Sequence, residues 1–300
     1  MIARSWIALA MTVLLAAAGC SGSSGKQQGQ QSQQQPSANG GPGSNGPQLP
    51  AAAPSPRTWI FTRLALTQVL SDPAVRTTIS AGRVLEILRG KQQPSTAIPV
   101  IPIMSFSSYS GLETALSAGL PPYIKGVMYD AEVWALTPVQ EQQNPETYYP
   151  KAAALAHAHG LMFIAAPAMN LVTAHGPTSD RPRAYLQQNI AALAARDADI
   201  IDIQAQSLER NSAQYTTFVQ QAVRQARGAR TPVTVLAGLS SNPPGPDVTV
   251  DMLIAAVSGT RRTVDGYWVN IPGNGSQCPT CSQPRPQLAI DLLRAPALAG

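Results

Sequence analysis

The chain has few of the residues that build metal centres. Its 300 residues contain three cysteines and three histidines. No Gly-x-Ser-x-Gly motif occurs, which argues against a serine hydrolase of the nucleophile-elbow type. No glycine-rich phosphate loop follows a candidate strand, which argues against a nucleotide-binding fold. We therefore expect neither a metal ion nor another cofactor.

Clusters of positive charge are also missing, although the formal net charge is +5. The arginines are scattered singly, as at Arg83, Arg224 and Arg294, without a basic stripe or interleaved aromatic residues. That distribution argues against a nucleic-acid partner. Neither an internal linker nor a repeat interrupts residues 58–300, so we expect one domain there and a monomeric protein.

The amino terminus carries the longest apolar run of the chain. Arg4 precedes an apolar segment from Trp6 to Ala18, and small residues lead into Cys20. This pattern resembles a bacterial lipoprotein signal peptide, which implies a signal peptide at 1–19 and lipidation of Cys20. The apolar run is short for a membrane span and no later segment is longer. The prediction is a domain anchored by lipid to the extracytoplasmic face of the cell membrane.

Residues 20–57 consist mainly of Gln, Ser, Gly and Pro. A segment of this composition buries too little apolar surface to offset the entropy of ordering. We predict a disordered tether between the lipidated cysteine and the folded domain.

Cys278 and Cys281 lie in a loop rich in Gly, Pro and Ser. In an exported protein a local disulfide is the simplest expectation for such a pair. A metal half-site is the alternative, but no second pair of cysteines or histidines completes a zinc set.

Apolar, β-branched runs alternate with amphipathic stretches through the whole domain, which predicts parallel strands joined by helices. At this length a (β/α)8 barrel of the TIM type is favoured over an open sheet. An eighth strand is expected between Leu64 and Ile98. The seven visible strands are Trp59–Leu64, Val100–Phe106, Ile124–Glu132, Leu161–Pro167, Ile200–Gln206, Pro232–Leu239 and Val264–Ile271, and the helices include Arg183–Arg196 and one capped by Ser212.

Two carboxylates, Asp130 and Glu132, end the strand that starts at Ile124. Side chains two residues apart on a strand share a face, so both acids are expected to point into one pocket, with Met128 below them. Acids at the carboxyl ends of barrel strands are typical of catalytic sites. A structural hydrogen-bonding pair is the alternative reading.

Further polar residues follow the other predicted strands. An exposed loop rim accounts for part of this pattern, but pairs at i and i+2 favour a common site. Tryptophan side chains offer an apolar face to a sugar ring, although Trp134 could equally be plain packing. The candidate substrate-binding residues are Ser105, Trp134, Asn170, Gln204, Gln206, Trp268 and Asn270.

The strand-end sequences together resemble the family 18 glycoside hydrolases, the chitinase family, across residues 98–272. The matching pieces are Met104-Ser105-Phe106-Ser107-Ser108, Gly126 with Asp130 and Glu132, Ala165-Ala166-Pro167, Ile203-Gln204-Ala205-Gln206, Gly238-Leu239-Ser240 and Gly266-Tyr267-Trp268. The resemblance implies hydrolysis of a glycan that contains N-acetylglucosamine, by a substrate-assisted, retaining mechanism. Glu132 would protonate the glycosidic oxygen and Asp130 would orient the N-acetyl group.

The chain departs from the family's signature at two aspartates. Lys125 and Met128 stand in their place, so Asp130 is expected to stay ionised or to pair with a basic group. The tyrosine of the sixth strand is missing as well, and Gln204 or Gln206 is expected to supply the hydrogen bond instead. These departures keep a second reading open, in which the protein is an inactive glycan-binding or scaffolding lipoprotein.

Overall fold

Eight parallel strands form a closed barrel in the computed structural model, which describes residues 56–275, 278 and 280–298. Each strand pairs with the next along the chain, and β1 pairs with β8 to close the ring. The predicted (β/α)8 barrel is confirmed. The predicted signal peptide 1–19 and residues 20–55 of the tether lie outside the described residues. The strands are β1 Thr58–Thr62, β2 Arg83–Leu88, β3 Ile101–Phe106, β4 Gly126–Tyr129, β5 Met162–Ala165, β6 Ile200–Ile203, β7 Thr234–Ser240 and β8 Gly266–Asn270.

Alternation along the strands divides their side chains between two apolar layers. Ile60, Ile103 and Leu236 point inward and belong to the cluster that fills the barrel. Phe61 and Val127 point outward and pack in the larger cluster beneath the helices. Because both faces of each strand are buried, the strands appear in the sequence as nearly continuous apolar runs.

The eighth strand, β2, lies in the interval where it was expected. It carries a charged residue, Glu86, that is fully buried on the outer face of the barrel. Arg63 Nη1 donates to Glu86 Oε1 at 2.9 Å, and the backbone N–H of Ser95 donates to Oε2 at 2.8 Å. These contacts compensate for the burial of the carboxylate.

Helices cover the barrel on the outside, and none in the described part of the chain is long and apolar enough to cross a membrane.

The cap of α8 (Ser212–Ala229) was expected at Ser212 and lies one residue earlier, because Asn211 Oδ1 accepts from the backbone N–H of Gln214 at 3.1 Å. The α-helices are α1 Arg63–Val69, α2 Pro73–Ser80, α3 Tyr109–Ala118, α4 Val139–Gln143, α5 Pro145–Ala158, α6 Arg181–Gln187, α7 Ile190–Ala195, α8 Ser212–Ala229, α9 Val250–Thr260 and α10 Pro286–Arg294, with 3-10 turns at Met169–Thr173 and Pro296–Leu298.

The predicted single helix Arg183–Arg196 is two helices, α6 and α7. The break is at Asn189, whose φ of 53° is left-handed, a conformation that asparagine tolerates better than most residues. Gln225 of α8 stabilises the break, because its Nε2 donates to Leu186 O at 2.7 Å and to Asn189 Oδ1 at 3.0 Å. A contact from another helix therefore overrides the local helical pattern.

Candidate active site

Asp130 and Glu132 directly follow β4 at the carboxyl end of the barrel. The backbone ladder continues past the end of the strand, since Asp130 N donates to Phe106 O at 2.8 Å. One step further, Ala168 N donates to Ala131 O at 3.2 Å. This register preserves the alternation of side chains. Both acids accordingly line one cleft of about 950 Å³ at the mouth of the barrel.

The same cleft brings together the other candidate residues from the sequence. They come from β3, β8 and the loops after β4, β5 and β6, and the carboxyl ends of these parallel strands meet at one rim. The candidates that line the cleft are Ser105, Asp130, Glu132, Trp134, Asn170, Gln204, Gln206, Trp268 and Asn270.

Asp130 is held by a neutral amide. Gln204 Nε2 donates to Asp130 Oδ1 at 2.6 Å and to Ala166 O at 2.8 Å. Burial and the negative charge of Glu132 raise the pKa of Asp130 to about 8, against the opposing effect of the Gln204 hydrogen bond. The expectation that Asp130 stays ionised or pairs with a basic group is therefore wrong.

Glu132 is the outer member of the pair. Burial raises its pKa, and a hydrogen bond with the side chain of Asn170 partly opposes that shift. Asn170 Oδ1 accepts from the backbone N–H of Val133 at 2.9 Å, which leaves the Asn170 amide N–H groups for the Glu132 carboxylate. Because both pKa values are raised, the two acids share a proton at a pH where isolated carboxyls are ionised.

A third acid, Asp202, lies deeper in the barrel, and sequence reasoning missed it. Asp202 pairs in register with Leu236 of the inner cluster, so its side chain points inward. It is 0% exposed, and neither carboxyl oxygen has a hydrogen-bond partner among the residues that the structure describes. Burial and the negative charge of Asp130 raise its pKa well above the ordinary value. The sequence does contain a feature that could have identified Asp202: it is an acid at an inward position between Ile200 and Gln204, on an otherwise apolar strand.

Two tryptophans bound the cleft. Trp268 is 6% exposed and belongs to the inner cluster, so its ring forms part of the floor. Its indole N–H is buried without a partner among the described residues. Trp134 is half-buried at the rim, where its Nε1 donates to Thr137 Oγ1 at 2.8 Å. Thr137 Oγ1 in turn donates to Ser107 O at 2.7 Å, which fixes the Trp134 ring in place.

Gln206 lies across the backbone of β7. A Cβ atom at Gly238 would collide with the Gln206 amide, so glycine at this position makes room for that side chain. No hydrogen bond of the Gln206 amide is found within the described residues. Gln204 is committed to Asp130 and Ala166. Of the two glutamines, Gln206 is therefore the one with an amide available to a ligand.

The loop after β8 forms one wall of the cleft. Cys278 and Cys281 line it and are joined by a disulfide, with their Cα atoms 5.3 Å apart. Asn242 supports the same loop by donating to Pro272 O at 2.9 Å and to Ser282 O at 3.1 Å. Within the described ranges, no group of three or more His, Cys, Asp or Glu side chains could hold a metal ion.

Comparison with known proteins gives similarity of fold alone. No model of a protein family matches the chain, and no curated protein matches it. An archaeal fructose-1,6-bisphosphate aldolase is 14% identical with a TM-score of 0.47, covering 81% of this chain and 94% of the aldolase. A chitinase from Chromobacterium violaceum is 11% identical with a TM-score of 0.46, covering 80% and 99%. An endo-β-1,3-glucanase of family GH128 from Amycolatopsis mediterranei, solved with laminaritriose, is 10% identical with a TM-score of 0.45, covering 80% and 100%.

These solved structures include an aldolase as well as glycoside hydrolases, and their likeness to this chain is too low to select between the two. A barrel supports many unrelated reactions. The function must therefore be argued from the cleft itself.

Proposed function

We propose that this chain is a glycoside hydrolase-like protein of the cell surface that acts on glycan containing N-acetylglucosamine. The observation that carries the proposal is the pair Asp130 and Glu132, which line one cleft at the barrel mouth and have raised pKa values. Such a pair supplies one acid and one carboxylate near neutral pH, as cleavage of a glycosidic bond requires. Trp268 gives the sugar ring an apolar floor.

The proposed reaction is substrate-assisted and retains the configuration of the sugar. The carbonyl oxygen of the N-acetyl group attacks the anomeric carbon while the glycosidic oxygen leaves with the proton of Glu132. The resulting cyclic intermediate is stabilised by Asp130, which accepts a hydrogen bond from the acetamide N–H. Water then attacks the anomeric carbon, the bond from this carbon to the acetamide oxygen breaks, and Glu132 takes the proton of the water and returns to the acid form.

Substrate binding would redistribute the shared proton. In the free site burial and the charge of Glu132 raise the pKa of Asp130 to about 8, so Asp130 retains a proton near neutral pH. An acetamide N–H that approaches Asp130 favours its carboxylate form. The proton then belongs on Glu132, where the leaving oxygen needs it. Binding of the neutral acetamide group thereby moves the proton to Glu132, and the net charge of the pair does not change.

One contact favours the second candidate, an inactive glycan-binding lipoprotein of the same fold. The 2.6 Å hydrogen bond from Gln204 occupies Oδ1 of Asp130 and competes with the acetamide N–H. If Gln204 keeps this position when a glycan binds, the proton remains on Asp130 and Glu132 has none to donate. Binding would then occur without cleavage.

The test compares chromogenic chito-oligosaccharide turnover by the wild type and by Glu132→Gln. We expect turnover to fall about a hundredfold to ten-thousandfold, because the variant loses its general acid. Glu146→Gln, at an exposed position in the first turn of α5, is the matched control and should keep full activity. Equal turnover in wild type and Glu132→Gln would remove Glu132 from the mechanism.

Binding measurements separate the two candidates. Saturable binding without turnover in the wild type, lost in Trp268→Ala, would support the inactive protein. Absence of binding to chito-oligosaccharides and to peptidoglycan fragments would contradict both.

The location is proposed from the amino terminus. The lipobox-like sequence before Cys20 and the polar segment 20–57 support a lipid anchor and a tether that hold the barrel at the extracytoplasmic face of the membrane. Cys20→Ser should release the protein from the membrane fraction, as measured by fractionation and immunoblotting. Retention of Cys20→Ser in the membrane would contradict the anchor.

A further inference from the structure

The cleft contains more positive than negative groups. The charged residues that line it are Arg63, Arg89, Arg181, Asp130 and Glu132. Because the two acids share a proton near neutral pH, they contribute about one negative charge, and Glu86 outside the cleft offsets one of the three guanidinium groups, that of Arg63. A concave site with this balance raises the local concentration of anionic ligands.

The arginines stand on opposite sides of the barrel mouth. Arg63 begins α1 directly after β1, whereas Arg181 begins α6 in the connection that follows β5. In a ring of eight strands in chain order, β1 and β5 face each other. The acids follow β4, which is the neighbour of β5, so they lie on the same side of the barrel mouth as Arg181. A glycan that reaches the acids therefore passes close to Arg181.

Arg181 differs from Arg63 in what surrounds it. Arg63 is paired with the buried Glu86 at 2.9 Å, which neutralises its charge. The carboxylate nearest to Arg181 in sequence, Asp180, is committed to Arg183: Oδ1 accepts from Arg183 N at 3.0 Å and Oδ2 pairs with Arg183 Nε at 3.0 Å. No ion pair or hydrogen bond of the Arg181 side chain is found in the part of the chain that the structure describes.

Two hydroxyl groups line the cleft next to Arg181. They belong to Thr178 and Ser179. Thr178 Oγ1 accepts from the backbone N–H of Asp180 at 3.3 Å, so its own hydroxyl hydrogen remains available for donation. The exposed guanidinium of Arg181 presents further donors in a planar fork that matches a carboxylate. This side of the cleft thus offers hydrogen-bond donors and a positive charge. Within the described residues, no carboxylate is paired with Arg181.

We infer that Thr178, Ser179 and Arg181 form an anion subsite that binds the carboxylate of an acidic sugar unit, so that the preferred glycan carries carboxylated sugars beside N-acetylglucosamine. This inference rests on the proposed function, because it describes a second part of the same cleft. The acidic unit would lie next to the sugar whose bond is held at Asp130 and Glu132. The arginine contributes to affinity for the substrate and takes no part in proton transfer.

The test uses three oligosaccharides that all contain N-acetylglucosamine. They are chitotetraose, which is neutral, the hyaluronan tetrasaccharide, which alternates N-acetylglucosamine with glucuronate, and the methyl ester of the same tetrasaccharide. Dissociation constants are measured by calorimetry on the full chain, with Glu132→Gln as the common background to prevent turnover. The acid and its ester differ mainly in charge, so their affinity ratio isolates the carboxylate.

We expect the acidic tetrasaccharide to bind about tenfold more tightly than its methyl ester, as is typical of one charge-assisted hydrogen-bonded pair. Arg181→Gln should reduce this ratio to about one, because the guanidinium is lost. Arg224→Gln is the matched control, since Arg224 is an exposed arginine of α8 that does not line the cleft. It should leave the tenfold ratio unchanged. Thermal melting of each variant checks that the barrel remains folded.

The outcomes separate the subsite from the proposed function. Equal affinity for acid and ester in the parent protein overturns the subsite, and binding of chitotetraose in the same experiment leaves the proposed function standing. An equal loss of preference in Arg181→Gln and Arg224→Gln also overturns the subsite, because it would show a general charge effect. If none of the three oligosaccharides binds, both proposals fail.

Discussion

Asp202 makes the stability of the barrel depend on pH in a way that one substitution can isolate. Its carboxyl is fully buried, no hydrogen-bond partner for it lies within the described ranges, and burial raises its folded-state pKa well above the ordinary value of 3.8. There is therefore a pH range above the ordinary pKa in which Asp202 is protonated in the folded chain and ionised in the unfolded chain. The unfolded state binds fewer protons, so the free energy of unfolding decreases as the pH rises.

The size of this pH dependence is set by the one proton that Asp202 binds in the folded state and releases on unfolding. A group that is fully protonated in the folded state and ionised in the unfolded state lowers the free energy of unfolding by about 1.4 kcal/mol per pH unit. Its contribution to stability is complete below the unfolded pKa and is lost progressively towards the folded pKa. The cost from Asp202 therefore grows with each pH unit above the ordinary pKa, until the pH reaches the folded-state pKa.

The substitution Asp202→Asn keeps the shape of the side chain and removes the ionisable group. Urea titrations followed by circular dichroism at pH 5, 6 and 7 give the free energy of unfolding at each pH. We expect the stability of the variant relative to the wild type to rise from pH 5 to pH 7, by at most about 1.4 kcal/mol per pH unit. The difference between pH values is decisive, because the amide also lacks hydrogen-bond partners and has its own constant cost.

Asp251→Asn is the matched control, because Asp251 lies exposed in the first turn of α9. The free energy of unfolding of Asp251→Asn should change with pH as that of the wild type does, across the same range. Parallel pH dependences of the wild type and Asp202→Asn would refute the conclusion that Asp202 is neutral in the folded barrel.

Two further predictions concern the cleft. Turnover should fall as the pH rises through about 8, where the pair loses its shared proton and no acid remains for the leaving oxygen. A profile of kcat/KM between pH 5 and 10 that stays level through this region would contradict the shared proton. Gly238→Ala should weaken glycan binding severalfold without unfolding the barrel, because its methyl group displaces the flexible end of Gln206. Gly228→Ala in α8, where a Cβ meets nothing within 4 Å, should leave glycan binding unchanged, and equal affinities of the two variants measured by calorimetry would argue against a role for Gln206.

The strand pattern was predictable because burial on both faces leaves a local trace. Runs such as Gly126–Tyr129 contain no charged residue and are buried throughout, and turns separate them from one another. The strand β2 lacks such a clear trace, since Arg83 and Glu86 interrupt its apolar residues. Its place in the ring depends on Arg63 and Ser95, which satisfy the buried Glu86 carboxylate from outside the strand. No window of neighbouring residues contains that information.

In the candidate site, too, some features could be predicted from the sequence and others depend on the tertiary structure. The shared face of Asp130 and Glu132 follows from their spacing of two residues, which is a property of the strand alone. Their protonation depends on burial and on contacts with Gln204 and Asn170, which come from other parts of the ring. The expectation of an ionised Asp130 was wrong because the sequence does not show how much water reaches a side chain.

The sequence by itself determined the order of strands and helices, the acid pair at the end of one strand, and the ring of polar residues at the other strand ends. Closure of the barrel decided that Asp202 is sealed inside, with no hydrogen-bond partner among the described residues, and that Arg181 lines the same cleft as the acids. The physical reason is that alternation and helical periodicity act over neighbouring residues. Desolvation and charge pairing act through space, between residues that only the closed ring brings together.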